Sequence, residues 1–180
     1  MLVGKHVILR TARERDLETV FELGADVRDA GDHWPLSLRS EQAARKQFQE
    51  TGWWQEDFGS FIITDLEGRI LGHLVFFKAA AYMSAYELGY RLYRPEDWRK
   101  GYMTEAVSLA IAFLFATKPI GRIQATTMLG NKGSQGVLEK CGFSFEGILR
   151  QAVFHRGKHE DLRLFAVVRD EAPALHDLLA

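Results

Sequence analysis

Residues Glu87 to Ala106 read Glu-Leu-Gly-Tyr-Arg-Leu-Tyr-Arg-Pro-Glu-Asp-Trp-Arg-Lys-Gly-Tyr-Met-Thr-Glu-Ala, and they predict a strand, a short basic turn and the start of a helix. The first N–H groups of a helix have no partner within the helix and carry a partial positive charge, so this junction is suited to bind an anion such as a diphosphate. Arg99 and Lys100 add positive charge directly before Gly101. Gly101 has no side chain, so a phosphate can approach its backbone closely.

A single glycine before a helix is also found in ordinary turns that bind no ligand, and that alternative stays open for this segment alone. The segment lacks the Gly-Lys-Ser or Gly-Lys-Thr ending of a nucleotide P-loop. It also lacks the Gly-x-Gly-x-x-Gly fingerprint of dinucleotide-binding proteins.

A second set of motifs follows about twenty-five residues later. It comprises Asn131-x-x-Ser134, Glu139-Lys-x-Gly-Phe143 and Glu146-Gly-x-Leu-Arg150. Together with Lys100-Gly-Tyr-Met-Thr-Glu-Ala106, these motifs resemble the acetyl-CoA-dependent GNAT N-acetyltransferases, and most closely their RimJ/RimL-like branch. The early Leu-Arg-x-Ala at 9–12 and the strand at 161–166 extend the resemblance over nearly the whole chain.

The resemblance implies acetyl-CoA as co-substrate, bound where two neighbouring strands splay apart and at the turn before the helix. The cofactor-binding residues that it implies are Leu92, Tyr93, Arg99, Lys100, Gly101, Tyr102, Met103, Thr104 and Asn131. Trp98 and Met103 depart from the usual pattern of the turn, which puts the adenine and ribose contacts in doubt. Thr104 is also a candidate helix cap, and Asn131 is either a cofactor contact or an N-cap.

Acetyl transfer requires a base for the amine and an acid for the leaving thiolate. Glu87, at the head of the strand, is the first candidate for the base; the alternative is a solvated edge charge. Many GNAT enzymes protonate the thiolate with a tyrosine where this chain has Leu138, and the RimL-like pattern points instead to Ser134. A backbone-bonded hydroxyl at the helix start is the alternative for Ser134.

Three further residues bear on the chemistry of the site. Gly89 lies where a β-bulge would free an N–H to polarise the thioester, or it is a glycine tolerated for packing. His33 is a rival base in a loop, and His73, within a strand, is expected to be structural.

The acceptor is expected to meet the loop Asp32-His33-Trp34, whose acid and aromatic side chains suit a cationic amine. The segment 51–57 offers similar residues, although Trp53 and Trp54 are better explained as core. Protein N-termini, polyamines, amino sugars and antibiotics all remain possible acceptors. His155, His159 and Glu160 do not predict a metal site, because Gly157 makes a hairpin turn there, so no metal is expected.

The bulk properties fit a single domain spanning residues 1–180. With one cysteine, Cys141, no internal disulfide is possible, and the N-terminus lacks the apolar core of a signal peptide, so a cytoplasmic location without membrane segments is expected. The net charge of −1 is interspersed, so no nucleic-acid partner is expected. The amine acceptor is the expected partner of a monomer or homodimer.

The periodicities predict a mixed α/β fold in which helices flank a mostly antiparallel central sheet. Strands are expected at 7–10, 58–64, 70–78, 82–93, 122–129, 143–154 and 161–169, and helices at 15–26, 40–50, 104–116 and 132–140. Direct attack of a primary amine on acetyl-CoA in a ternary complex is the expected reaction, with Cys141 outside the chemistry. The alternative is a GNAT-like module that binds acyl-CoA without turnover.

Overall fold

The computed structural model describes residues 1–25, 31–34, 37–38 and 40–180. These residues form eight strands and four α-helices. The strands are β1 (Leu2–Val3), β2 (Ile8–Thr11), β3 (Phe58–Thr64), β4 (Ile70–Lys78), β5 (Ala85–Leu92), β6 (Arg122–Met128), β7 (Ser144–His155) and β8 (Lys158–Val168). The helices are α1 (Leu17–Ala25), α2 (Glu41–Thr51), α3 (Tyr102–Thr117) and α4 (Lys132–Lys140).

All eight strands lie in one sheet of order β1-β2-β3-β4-β5-β6-β8-β7. Every neighbouring pair is antiparallel except β5 and β6. The mixed, mostly antiparallel sheet predicted from the sequence is therefore confirmed.

The parallel pair β5–β6 is short and opens toward one end. Its register joins Ala85 to Arg122, Tyr86 to Ile123 and Glu87 to Gln124, whereas the two strands continue to Leu92 and Met128. We call the point where the pairing stops, at Glu87 and Gln124, the β5–β6 seam. Strands that part in this way expose backbone groups that an extended ligand can use.

Helix α3 covers one face of the sheet and is buried on most of its circumference. Ala106, Val107, Ala110, Ile111 and Leu114 have no exposed surface, and they pack with residues of β3 to β6 and α4 in the main core. On the other face, Val20 and Leu23 of α1 pack against a smaller cluster that contains Tyr93. This arrangement confirms that helices flank the sheet.

The limits predicted for β3, β4 and α4 are confirmed residue for residue, as is the Ser40 cap of α2, whose Oγ accepts from Ala43 N at 3.2 Å. Alternating apolar side chains and capping residues are local signals, so their limits can be located without the fold. Trp53 packs between Phe21 and Phe48, and Trp54 against Phe61 and Phe76, as expected for core residues.

Two local predictions are wrong. Thr104 is not the cap of α3, because the helix begins at Tyr102 with Gly101 as its N-cap. Gly89 does not lie in a bulge, because the β4–β5 register runs without interruption through the Val75–Gly89 pair. An added Cβ at Gly89 would lie 3.2 Å from Val75 Cγ2, so close packing explains this glycine.

The ends of other elements differ from the predictions. Strand β1 was missed, since two residues are too few to show alternation. Tyr82 lies before β5 and is exposed. The strands β7 and β8 extend to a tight turn at Arg156 and Gly157, both of which have positive φ. The predicted helix residue Asp26 lies outside the described residues.

Candidate active site

A cleft of about 690 Å³ opens beyond the seam, between the end of β5 and the starts of α3 and α4. Four parts of the chain surround it: the loop 31–34, the end of β5, the turn that leads into α3, and the start of α4. Its lining residues are 31–34, 90–92, 97–99, 101–104, 130–134, 136, 137 and 140. Most of the predicted cofactor and acceptor residues therefore meet in one cavity.

The turn Trp98 to Gly101, here called the phosphate turn, has a backbone shaped to receive an anion. Arg99 has φ of 62° and Gly101 has φ of 85°, so both residues adopt the left-handed conformation. No side chain caps the helix from Gly101, and the space beside its Cα is open. The first N–H groups of α3, including those of Tyr102, Met103 and Thr104, are therefore suited to meet a ligand.

An ion pair anchors the chain immediately before the phosphate turn. Asp97, which is 1% exposed, accepts from Arg69 Nη1 at 3.0 Å and Nη2 at 2.8 Å. These hydrogen bonds keep the pKa of Asp97 below its ordinary value, with the charge of Arg69 acting in the same direction. The paired carboxylate thus fixes the chain immediately before Trp98.

We expect Asp97→Asn to lower the free energy of unfolding by about 2 kcal/mol at pH 7, since one side of a bidentate pair loses its charge while Arg69 stays partly solvated. A lowered pKa in the folded state stabilises the fold above the unfolded value of about 3.9, and this stabilisation is lost as the pH falls through the folded value. Urea unfolding at pH 7 and pH 3 measures the difference, which should shrink at pH 3. The exposed Asp170→Asn is the control, and an equal deficit at both pH values would contradict the assignment.

The start of α4 brings Asn131 and Ser134 into the cleft. Asn131 Oδ1 accepts from Ser134 N at 3.1 Å, so Asn131 is the N-cap of α4 while also lining the cavity. Within the described residues, no hydrogen bond joins the Ser134 hydroxyl to the backbone, which was the structural alternative for this serine. Its Oγ lies 2.9 Å from the hydroxyl of Tyr90.

Tyr90 is a cleft residue that sequence reasoning missed. It lies on β5 with its side chain on the same face as Leu88, toward the main core. The alternation of β5 contains the signal that could have found it, because residues 88, 90 and 92 share one face of a strand. Which helix covers that face depends on the tertiary fold.

Glu87 lies on β5 at the seam but does not line the cleft. Side chains along a strand alternate between the two faces of the sheet, so Glu87 and Tyr90, which are three positions apart, lie on opposite faces. Thr126 Oγ1 donates to one carboxylate oxygen at 2.9 Å, and Gln124 Nε2 donates to the other at 3.0 Å. Both oxygens are thereby held in place on the far side of the seam.

A second layer of contacts fixes the Gln124 amide. Arg122 Nε donates to Gln124 Oε1 at 3.2 Å, while its Nη1 and Nη2 each donate to Glu146 at 2.6 Å. The amide orientation that this requires leaves its NH₂ group facing Glu87. The Glu-Gly motif at Glu146 therefore supports the candidate base through two intermediate side chains.

The loop 31–34 is attached to the β7–β8 hairpin and lies along the cleft. The buried His155 donates from Nε2 to Asp32 O at 2.8 Å, and Arg156 Nη2 donates to Gly31 O at 3.1 Å. The His33 ring lies close to Gly130, where an added Cβ would be 3.1 Å from its Cε1. Asp32, His33 and Trp34 all line the cavity, and Trp34 also contacts His73 and Arg91, which lie on the Glu87 face of the sheet.

Aromatic and cationic side chains surround Trp34. The His73 ring meets Trp34 edge-on, with centroids 5.6 Å apart, and Arg91 lies over the Trp34 ring at 5.7 Å. His73 Nδ1 is also 2.9 Å from the hydroxyl of Tyr93. These contacts support the structural role expected of His73.

The side chains of two predicted cofactor residues lie away from the cleft. Tyr93 is 5% exposed and packs with Ile62 and Ile70 on the other face of the sheet. Tyr93 directly follows Leu92, so the side chains of these two residues lie on opposite faces. Lys100 does not line the cavity, and its Nζ lies 4.0 Å from Asp97 Oδ1. Leu92 and Arg99 do line it.

The electrostatics of the cleft suit a polyanionic ligand. Its lining includes Arg91, Arg99, Lys132 and Lys140. Asp97 is neutralised by Arg69, which leaves Asp32 as the other carboxylate among the described lining residues. The diphosphate of coenzyme A fits this charge balance and the uncapped start of α3.

Cys141 is buried between α3 and α4. Its Sγ donates to Thr104 O at 3.3 Å and accepts from Ser108 Oγ at 3.5 Å. Burial raises the pKa of the Cys141 thiol. A protonated thiol is a poor nucleophile, so this cysteine is not suited to carry an acetyl group.

Neither a metal-ligand set nor a membrane span is found in the described part of the chain. No three His, Cys, Asp or Glu side chains come together there as ligands. Within the same residues, no helix has the length and apolar character needed to cross a membrane.

The family described as "Acetyltransferase (GNAT) domain" matches residues 6–144. The probable N-acetyltransferase YjcK of Bacillus subtilis is 30% identical over 180 residues, which cover 95% of this chain and 98% of the relative.

Two solved structures share the fold at lower identity. The ribosomal L7/L12 alpha-N-protein acetyltransferase RimL, solved with coenzyme A, has a TM-score of 0.80 at 21% identity, covering 92% of this chain and 96% of that chain. The spermidine N-acetyltransferase of Vibrio cholerae, solved with CoA and spermine, has a TM-score of 0.80 at 17% identity, with the same coverage of 92% and 96%. The family match and the bacillary relative show that this chain belongs to the GNAT N-acetyltransferases, enzymes that take their acetyl group from acetyl-CoA.

Proposed function

We propose that this enzyme transfers the acetyl group of acetyl-CoA to a primary amine by direct attack within a ternary complex. The observation that carries the proposal is the β5–β6 seam, which has the phosphate turn and Ser134 on one face of the sheet and the Glu87 carboxylate on the other. A donor entering from the cleft and an amine entering from the opposite face would meet at this opening. The seam thus separates the two substrates and gives each its own approach.

We propose that acetyl-CoA is bound by backbone N–H groups that have no partner within α3 and by side chains that line the cleft. The N–H groups at the start of α3 would receive the diphosphate, with Arg99 supplying positive charge and Gly101 allowing close approach. Asn131 lines the same cavity beside Ser134 and would contact the donor from the start of α4. Holding the thioester at one position converts an encounter between two molecules into a reaction within one complex.

Glu87 is proposed as the base that removes the surplus proton of the amine, directly or through a water. Glu87 and Tyr90 are separated by three residues of strand, about 10 Å, and face opposite sides of the sheet. The thioester carbonyl would lie between them at the seam, so the amine proton leaves on one side and the thiolate departs on the other. His33 is the rival base, since it lines the cleft, but its ring packs beside Gly130 on the donor side.

Direct attack is supported by the environment of Cys141. An acetyl-enzyme intermediate requires an accessible nucleophile, and this thiol is 6% exposed and hydrogen-bonded to its neighbours.

The preferred acceptor is proposed to be the α-amine of a peptide or protein. Among the described residues of the acceptor loop, Asp32 is the one carboxylate. A single carboxylate matches the single charge of an N-terminus better than the several positive charges of a polyamine. The RimL neighbour, named as an alpha-N-protein acetyltransferase, is consistent with this choice.

The test is initial-rate kinetics of CoA thiol release over an amine panel containing peptides with free N-termini, the same peptides blocked at the N-terminus, spermidine and an amino sugar. We expect a free N-terminus to have a kcat/KM at least about tenfold above that of spermidine, the equivalent of roughly 1.4 kcal/mol. Varying both substrates should give intersecting lines. Parallel lines would contradict direct attack, a preference for spermidine would overturn the acceptor class, and turnover with no amine would overturn the proposed reaction.

A further inference from the structure

The pair Tyr90–Ser134 joins two hydroxyl groups inside the cleft. The phenol oxygen of Tyr90 is 2.9 Å from Ser134 Oγ and 3.3 Å from Ser134 O. Tyr90 comes from the sheet and Ser134 from the first turn of α4, so the pair spans the cleft from strand to helix. Both side chains line the cavity.

Tyr90 has one proton, and two acceptors lie within its reach: Ser134 Oγ at 2.9 Å and Ser134 O at 3.3 Å, of which Oγ is the nearer. Burial raises the pKa of Tyr90 far above its ordinary value, so its hydroxyl stays protonated and acts as a donor. A serine hydroxyl has one proton and two lone pairs. When Tyr90 donates to Ser134 Oγ, the serine proton is free to turn away from Tyr90 and into the cleft.

A serine by itself is a weak proton donor toward a leaving thiolate, because negative charge develops on its oxygen as the proton departs. A hydrogen bond already directed at that oxygen stabilises the charge without reorganisation. At Leu138, where many GNAT enzymes have a tyrosine, this chain has a side chain with no exposed surface and no proton to give. A phenol therefore approaches the same region from β5 instead of from α4.

We propose that Tyr90 is a positioning residue that donates a hydrogen bond to Ser134 Oγ and thereby directs the Ser134 proton toward the departing sulfur of coenzyme A. The inference rests on the proposed function, and it takes Ser134 as the acid that protonates the thiolate, the role that the resemblance to the RimL-like enzymes implies. As the amine nitrogen bonds to the acetyl carbon, the C–S bond breaks and its electron pair goes to sulfur. Ser134 gives its proton to that sulfur, Tyr90 keeps its own, and the proton taken from the amine by Glu87 returns to Ser134 through water.

The kinetic test compares Tyr90→Phe, Ser134→Ala and the double variant with a matched control, Tyr86→Phe. Tyr86 lies on the same face of β5, but its hydroxyl donates to Glu56 O and Asp57 Oδ1, outside the cleft. We expect Tyr90→Phe to lower kcat about 10- to 100-fold with KM for acetyl-CoA unchanged, and Ser134→Ala to lower it about 100-fold or more. The double variant should be no slower than Ser134→Ala alone, since Tyr90 acts through Ser134.

A second measurement needs no acceptor. The thiol of bound CoA is titrated by the ultraviolet absorbance of its thiolate, as a difference spectrum against the complex with an S-alkyl CoA. A directed Ser134 proton stabilises the thiolate, so the pKa of bound CoA should be lower in the parent enzyme and Tyr86→Phe than in Tyr90→Phe or Ser134→Ala. Thermal melting and the CoA dissociation constant verify that each variant folds and binds.

The two measurements separate this inference from the proposed function. If the pKa of bound CoA is the same in all variants, the hydroxyl pair does not act on the sulfur and the inference is overturned, whatever the amine panel shows. Equal kcat for Tyr90→Phe and Tyr86→Phe also overturns it. If the pKa difference is found and no amine is acetylated, the hydroxyl pair stands and the proposed acceptor chemistry falls.

Discussion

The Glu87→Gln enzyme is expected to bind acetyl-CoA like the parent protein and to acetylate its amine about 100- to 10,000-fold more slowly, because an amide cannot take up the amine proton. The substitution should preserve the fold. The glutamine oxygen can still accept from Gln124 Nε2, and its NH₂ group can donate to Thr126 Oγ1, whose hydroxyl can turn to accept. The loss should therefore be confined to kcat.

The size of the deficit should depend on the amine and on pH. An α-amine with a pKa near 8 is partly neutral at pH 7, whereas an alkyl amine with a pKa near 10 depends more on a base. The deficit should therefore be larger for the alkyl amine at pH 7, and it should shrink for both as the pH rises and the free amine loses its proton unaided.

Steady-state kinetics at pH 7 and pH 9, together with isothermal titration of acetyl-CoA, measure these effects. Glu67→Gln, in the exposed β3–β4 turn, is the control for the same change of side chain elsewhere. An unchanged kcat in Glu87→Gln would show that another group is the base, and His33→Gln would then be the next variant to measure.

The second large effect is expected at the phosphate turn. Gly101→Glu should weaken acetyl-CoA binding by about 100-fold or more, the equivalent of roughly 2.7 kcal/mol, since it puts a carboxylate where the diphosphate would be bound by helix N–H groups. Gly101 also has φ of 85°, a conformation that costs a side-chain-bearing residue about 1–2 kcal/mol. Charge and strain therefore act together in this variant.

Gly68→Glu separates these causes from general destabilisation. Gly68 has φ of 90°, and like Gly101 it has open space at its Cβ position, but it lies in the β3–β4 turn away from the cleft. Gly101→Ala adds strain without charge and should lose less affinity than Gly101→Glu. Isothermal titration of the three variants with acetyl-CoA, alongside thermal melting, measures the differences. Micromolar binding retained by Gly101→Glu would contradict a diphosphate site at the start of α3.

Much of the fold could be predicted because its signals are local. The alternating apolar residues of β3 and β4 and the Asn131 cap of α4 depend on neighbours within a few residues, and the structure has them as expected. The incorrect Thr104 cap shows the limit of such signals, because an uncapped helix start has no side-chain signature.

The sequence by itself determined the class of fold and the family, because both depend on short motifs in a set order along the chain. Only the tertiary structure decided which residues share the site. Glu87 and Tyr90 are neighbours on one strand, yet the pleat sends them to opposite faces, one to Gln124 and Thr126 and the other to Ser134. Ser134 lies 44 residues from Tyr90 along the chain, and no local pattern encodes a contact at that separation, since the packing of α4 on the sheet creates it.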